Sequence, residues 1–478
     1  MLRSLLNIDR ASRIGLSEQI YRQIRIAVRD QILNEGYKLP SSRGLSADLK
    51  VSRNTVSDAY ERLKAEQIIT VRPGAAAVIT NGLSVKGLDK KRTEPAPSAA
   101  KLSVRGEALC QNARAASRTV SGGLLEAGVP ALDLFPRDSW ARSLRRSARG
   151  LKERDVLYQN VAGLPTLRTE LAIMLGQTRG VSTTAENILI CTSTQAALSL
   201  LSACLADNGD TALLEEPGYL GARGAFENHG LRTETMSVDK EGATLPTRLT
   251  KTTPRLIYLT PSHQYPLGVS MSLSRRLSVI AYARRTGAVI LEDDYDSEFL
   301  FSGKPVASLH GLASGSEVIY LGTFAKSMLP GLRVAYMAVP AHLVSTLSQA
   351  IRNTGIMASA HIQAGLADFI QTGQYHTHLR KIRSAYAYRG NELYTALKSA
   401  LGDKVEILPP TGGVQLVMKF RKHRDDVGLA QKLQSQGVGA SPLSKTYIKA
   451  GDSGLILGFS NATSETIKTA IPMIRKLL

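Results

Sequence analysis

The chain has only three cysteines in 478 residues, at positions 110, 191 and 204. That is too few for a disulfide framework, and the spacing is not that of metal ligands, so a reducing compartment and no metal site are expected. Long apolar runs are missing as well. The opening stretch MLRSLLNIDRASR holds no segment long enough for a signal peptide, and no window approaches the roughly 18 apolar residues of a membrane span. A cytoplasmic protein with no membrane attachment is expected. No internal repeat is present. Acid is in short supply, with 40 Asp+Glu against 60 Lys+Arg, and the resulting net charge of +20 favours a polyanionic partner. The 43% hydrophobic and 21% charged residues exclude disorder of the whole chain, whose length allows two or three domains and a large core.

What is present is distributed unevenly. Residues 1–80 carry 13 basic and 8 acidic side chains and residues 81–120 carry 8 and 3, so half of the net excess lies in the first quarter. In LSEQIYRQIRIAVRDQIL, Leu16, Ile20, Ile24, Val28 and Ile32 recur at four-residue steps and predict an amphipathic helix. LPSSRGLSADLKVSRNTVSDAYERLKAEQ predicts two more. Ser41 or Ser42 caps the first, which turns Leu45 and Leu49 inward; Ser52 caps the second, which buries Val56, Tyr60 and Leu63. Only a tight turn at Lys50 and Val51 separates them, giving helix-turn-helix geometry with the polar run Ser52, Arg53, Asn54 and Thr55 at the start of the reading helix. IITVRPGAAAVIT then reads as a two-stranded wing turning at Pro73 and Gly74, with Arg72 at its tip. A small helical bundle with merely solvated arginines has the same helices. Residues 15–80, however, closely resemble the winged helix-turn-helix of the GntR family of bacterial transcription factors. The resemblance implies that Arg43, Ser52, Arg53, Asn54, Thr55 and Arg72 form the contact to double-stranded promoter DNA. It departs at Ala75, Ala76 and Ala77, where the family has a second glycine in the wing.

The domain boundaries follow from composition: a DNA-binding head over 1–81, a flexible basic linker rich in Gly, Ser, Ala and Pro over 82–127, and an effector domain over 128–478. In the last, NILICTS, TALLEE, RLIYLTP, AVILEDD and EVIYLGT alternate with helical stretches, the α/β pattern of a mostly parallel sheet covered by helices. ICTSTQAALSLLSACL runs from strand to helix through Thr192, Ser193 and Thr194, a helix start that attracts phosphate. AVILEDDYDSEF ends a strand with Asp293 and Tyr295, at the edge where open α/β sheets bind ligands. YLGTFAKSMLPGLRVAYM sets one lysine, Lys326, between two apolar runs, with Arg333 just beyond. Each feature alone has a bland reading as a cap, a solvated acid or a surface cation. Together they supply a carboxylate for a ring nitrogen, an amine for an imine, a phenol, and a phosphate grip, which describes a pyridoxal phosphate pocket.

LDLFPRDSW, YQNVAGLPTLRTELA, EEPGYLGAR, TPSHQYPLGVSMS, LEDDYDSEF and GTFAKSMLPGLRVAY occur in the order of the type I aminotransferases, and the whole chain resembles the MocR-type branch of the GntR family, which fuses the two modules. That resemblance implies pyridoxal 5'-phosphate joined by a Schiff base to Lys326, Asp293 at the ring nitrogen and Tyr295 at the phenolic oxygen. It implies Ser193, Thr194, Thr323 and Arg333 at the phosphate, Tyr219 against the ring, and His263 on the pocket wall. Tyr158 is implied to reach the phosphate in the other subunit of a homodimer formed by this domain. The function implied is a DNA-binding regulator that senses a small-molecule amine or amino acid effector, or the cofactor itself; the alternative is an active aminotransferase with an accessory head. Two departures bear on this. Ile456 stands where many of these enzymes keep an arginine for the substrate carboxylate, and Leu267, in place of a small hydroxyl residue, is expected to narrow the pocket.

Overall fold

The computed structural model describes residues 2–72, 75–80, 101–111, 122–157, 160–246, 253–303, 306–313 and 317–478. The chain divides into two compact units, Met1–Lys101 and Leu102–Leu478. The first is built on helices α1 (Leu2–Leu5), α2 (Leu16–Arg29), α3 (Ser42–Leu49) and α4 (Arg53–Ala65) and a ribbon of β1 (Ile69–Thr70) and β2 (Val78–Ile79). The expected caps form: Ser41 Oγ accepts from Gly44 N at 3.1 Å and Ser52 Oγ from Thr55 N at 3.1 Å. Between them Lys50 takes a left-handed φ of 53°, which closes α3 and turns the chain into α4. Ile20, Ile24, Leu45, Val56, Leu63 and Ile79 form the core. The four-residue step overruns at one end. Helix α2 stops at Arg29, so Ile32 lies beyond it and is exposed, and Leu33 fills the core place instead. The wing is antiparallel, Thr70 facing Val78, while its turn at Pro73 and Gly74 lies outside the described residues.

Within the segment assigned to a linker, 82–127, a helix spans Val104–Gln111, and Leu125 is fully buried in the core of the larger unit. Gly123 serves close backbone packing there, a Cβ on it falling 2.8 Å from Gly439 N, while Leu124 N donates to Gly437 O at 2.8 Å and Gly458 N to Leu125 O at 2.7 Å. Residues 82–100 and 112–121 lie outside the described residues.

The larger unit is organised by an eight-stranded sheet. Its strands are β3 (Ile188–Cys191), β4 (Thr211–Glu216), β5 (Arg232–Asp239), β6 (Gly242–Ala243), β7 (Leu256–Leu259), β8 (Val289–Asp294), β9 (Val318–Thr323) and β10 (Ala335–Ala338). The order is β3-β10-β9-β8-β7-β4-β5-β6. The expected parallel pairing holds from β9 through β8, β7 and β4 to β5; β10 is antiparallel to both neighbours, and β6 to β5. This arrangement positions the site. Strands β3, β4, β7, β8 and β9 all end at one edge, and β10, running the other way, begins there. A second sheet of β11 (Val405–Ile407), β12 (Gln415–Phe420), β14 (Gly454–Gly458) and β13 (Ser441–Pro442) stands in that order, and helix Gln374–Leu401 packs on it. Among the described residues no helix is long and apolar enough to cross a membrane, and no group of His, Cys, Asp and Glu is arranged to hold a metal ion.

Candidate cofactor cavity and DNA-reading surface

Alternation along β8 decides what Asp293 does. Residues two apart on a strand share a face, so Glu292 and Asp294 point to one side of the sheet and Asp293 to the other. On its side Asp293 accepts a hydrogen bond from Tyr258 at 2.7 Å through Oδ2, while its buried Oδ1 has no partner among the described residues. Burial pushes its carboxyl up to about 7, with Asp294 and Asp296 adding to the rise and Tyr258 and Lys326 opposing it. On the far side, Asp294 accepts from Arg179 at 2.7 Å, Tyr320 at 2.6 Å and Ser297 at 2.9 Å. Burial alone would raise Asp294; Arg179 and these hydroxyls hold it below the ordinary carboxylate range. Two adjacent acids in one strand thus have opposite environments. Asp294 is tied through Oδ2 to an arginine and two hydroxyls on the far side, whereas Asp293 accepts one hydrogen bond at Oδ2 and keeps an unspent acceptor on the cavity side; the Oδ1 of each has no partner among the described residues.

The unspent acceptor opens into a cavity of about 370 Å³, within the roughly 300–1,000 Å³ usual for small-molecule sites. Eight of the ten residues expected at a cofactor line it: Lys326, Asp293, Tyr295, Ser193, Thr194, Tyr219, Thr323 and Arg333. Lys326 is half-buried and donates from Nζ to Gly128 O at 2.7 Å. Gly128 takes a φ of +78°, and a Cβ there would sit 2.7 Å from Nζ, so only glycine leaves the amine its place. Ser193 caps helix Thr194–Leu205, accepting from Ala196 N at 3.1 Å. Arg333 follows the Pro330–Leu332 turn in a left-handed conformation, exposed at the mouth. Tyr219 lies between Tyr258 (rings 6.4 Å apart, stacked) and Tyr265 (5.6 Å, edge-on). The Tyr295 hydroxyl donates to His263 O at 3.1 Å, and burial raises its pKa well above the ordinary phenol value.

Two expectations are corrected. His263 does not line the cavity: its ring turns the other way, with Nδ1 at 2.9 Å from Asp296 Oδ1 and Nε2 against Gly412. Burial opposes its protonation, but Asp296 raises its pKa on balance. Leu267 is likewise not among the residues that line the cavity, so it does not narrow it. Tyr158 lies outside the described residues. The sequence reading also missed residues that the fold brings in. Tyr258, a lone phenol in an apolar strand, holds Asp293, and Thr260, Gln195, Gln415 and Ser441 complete the wall. Nothing in the local pattern around Gln415 and Ser441 marks them, because they arrive from the second sheet.

Pyridoxal 5'-phosphate fits the groups present. The buried Asp293 Oδ1, without a partner among the described residues, would accept from a protonated ring nitrogen, and an amine and a cluster of hydroxyls with an arginine stand around the same space. In the head, Arg43, Ser52, Arg53, Asn54 and Arg72 are all exposed. Thr55 is half-buried, and its hydroxyl lies 2.8 Å from Ser52 Oγ, so those two oxygens are engaged with each other at the helix start.

Fold and cavity together define an aminotransferase-type domain carried behind a helix-turn-helix head. Residues 16–79 match the bacterial regulatory proteins of the gntR family and residues 124–474 match aminotransferase class I and II. The chain is 35% identical, over 98% of its length and 95% of the relative's, to the probable rhizopine catabolism regulatory protein MocR of Rhizobium meliloti. It is 29% identical, over 96% and 95%, to the pyridoxine biosynthesis transcriptional regulator PdxR of Corynebacterium glutamicum. Among solved structures, LysN, an α-aminoadipate aminotransferase from Thermus thermophilus complexed with N-(5'-phosphopyridoxyl)-L-leucine, matches at a TM-score of 0.69 and 29% identity over 75% of this chain and 92% of its own. The chain belongs to the GntR family of regulators, in its MocR-type branch. It is a DNA-binding transcriptional regulator with a pyridoxal 5'-phosphate-dependent, aminotransferase-like domain.

Proposed function

We propose that this regulator senses an amine-bearing effector, or the supply of pyridoxal 5'-phosphate itself, in the cavity bounded by Lys326 and Asp293, and that occupancy there alters its grip on promoter DNA. The observation that carries the reading is the buried, unmatched Asp293 Oδ1 in the same cavity as the Lys326 amine. When bound, the cofactor supplies an aldehyde that amines join reversibly and a ring that withdraws electrons. Lys326 Nζ is the group that holds it covalently. Asp293 keeps a proton at the ring nitrogen, and Tyr258 fixes that carboxylate by occupying its other oxygen. Tyr295 meets the phenolic oxygen, Tyr219 lies against the ring, and Ser193, Thr194, Thr323 and Arg333 gather the phosphate. Four charge-assisted or hydroxyl contacts at about 1.5 to 3 kcal/mol for the charged ones suffice for micromolar retention.

In the head, Arg43, Arg53, Asn54 and Thr55 read the major groove with Ser52 as the cap that aims them, and Arg72 meets the backbone from the wing. The protein acts in the cytoplasm as a homodimer paired through the larger domain, so that two heads read two half-sites. The rival reading, a working aminotransferase with an accessory head, draws on the likeness to LysN and is the less supported. Steady multi-turnover conversion of an amino donor and a keto acid would establish it.

The test compares binding to DNA from upstream of the gene, with and without pyridoxal 5'-phosphate. Loading the wild-type chain is expected to change affinity by about fivefold or more. Lys326→Ala should lose both the absorbance that borohydride traps on this side chain and the change in DNA affinity. A wild-type affinity indifferent to loading would sink the coupling.

A further inference from the structure

Once Lys326, Asp293, Tyr295, Ser193, Thr194 and Arg333 are given to the cofactor, the wall left for an effector is uncharged. It is made by Ala127, Leu329, Val414, Gln415 and Ser441, and among the described residues Lys326 and Arg333 are the only lysine and arginine that line the cavity. Strand register explains the missing charge. Ser441 pairs with Ile456, and Gln415 with Gly458, while Ile456 and Gly458 stand two apart on β14. Paired residues and residues two apart share a face, so Ile456 lies on the cavity side with Gln415 and Ser441. Its neighbours Leu455 and Leu457 point the other way and join the main core, and Ile456 itself is fully buried. A carboxylate brought to this face would lose its water with no cation to replace it, the arrangement buried charges avoid.

The same face offers a different contact. Gln415 reaches Tyr265 with its side-chain amide, and of the two N–H donors on its buried Nε2 at least one is left without a partner among the described residues. An unmatched buried amide donor is satisfied by a neutral oxygen, and a hydroxyl or carbonyl does so without bringing charge.

Building on the cofactor reading above, we infer that the effector is a primary amine without a carboxylate, with its amine toward Lys326 and a neutral oxygen toward Gln415. The test titrates the full-length chain, loaded with pyridoxal 5'-phosphate, with three matched pairs: alaninol and alanine, ethanolamine and glycine, serinol and serine. Binding is followed by calorimetry and by the cofactor's absorbance. The amino alcohol is expected to bind at least about tenfold more tightly in each pair that binds. Ile456→Arg should reverse the order, and Gln415→Leu, which keeps the strand apolar, should weaken the amino alcohols about fivefold. Equal or tighter binding of the amino acids overturns the inference, as does binding of none of the six by a chain that holds the cofactor. A chain that shows no borohydride-trappable absorbance overturns the underlying reading, and this one with it.

Discussion

In the head, the side chains assigned to DNA stand in water: Arg43, Arg53, Asn54 and Arg72 are exposed, and buried Val56 and Leu63 serve only to hold the reading helix in place. In the larger unit the order is reversed. Asp293 is buried with an unspent oxygen, and a ring of tyrosines and hydroxyls closes around the lysine that shares its cavity. The difference is one of what each partner brings. DNA carries its own charge and hydration, so cations in solvent suffice to meet it. A small cofactor must be desolvated to be held, so its candidate partners line a cavity, with Asp293 buried at its wall and one oxygen of that acid unmatched.

The sharpest way to break this contrast is at the buried acid. Asp293→Asn is expected to weaken pyridoxal 5'-phosphate by about 2 kcal/mol, roughly thirtyfold, in an equilibrium titration; unchanged affinity would mean that the unmatched oxygen is not the ring partner. The same burial sets a pH dependence. In the folded cofactor-free chain burial lifts Asp293, Glu215 and Glu292 to about 7 each. A folded pKa above the unfolded value of about 4 means that the folded chain holds those protons more tightly. The resulting stability is present in full below about pH 4 and is lost as pH rises through about 7. Cofactor-free protein should therefore melt at a lower temperature at about pH 8 than at about pH 5.5, and Asn at position 293 should shrink the gap. A gap of the same size in the variant would count against Asp293 as a source.

At the head the effects are smaller and depend on salt. Arg53→Ala should weaken binding to the cognate site about tenfold, whereas Arg72→Ala should weaken all sequences alike and reduce the salt slope by about one. Equal losses on cognate and random DNA for both variants would erase the distinction between helix and wing. Smallest is Ser52→Ala. Losing the cap that receives Thr55 N should cost the head about 1 kcal/mol in denaturant unfolding, with cofactor absorbance unmoved. A concurrent change in that absorbance would show that the two regions do not keep their chemistry apart.

Legibility differed along the same line. The head could be read almost residue by residue, since caps at Ser41 and Ser52, the turn at Lys50 and the buried Val56, Tyr60 and Leu63 depend on neighbours within a few positions. Its one slip, Ile32, came from extending a four-residue step past the end of a helix whose true repeat is 3.6. In the larger unit, motifs marked Lys326, Asp293, Tyr295 and the hydroxyls of Ser193, Thr194 and Thr323 as cavity residues because each sits at or just past a strand end. His263 and Leu267 were misplaced because a motif gives the position of a residue and not the direction in which its side chain points.

By itself the amino-acid sequence determined two modules, a basic reading head and a strand-and-helix domain whose strand ends carry an amine, an acid and hydroxyls. Local hydrogen bonds and hydrophobic period encode such features, and both act over a few residues. Only the tertiary structure decided that Asp293 and not Asp294 faces the cavity, that Gln415 and Ser441 close it, and that Ile456 shares their face of the second sheet. Those outcomes depend on strand register and on contacts between segments from 15 to more than a hundred positions apart, where side-chain direction is set by packing.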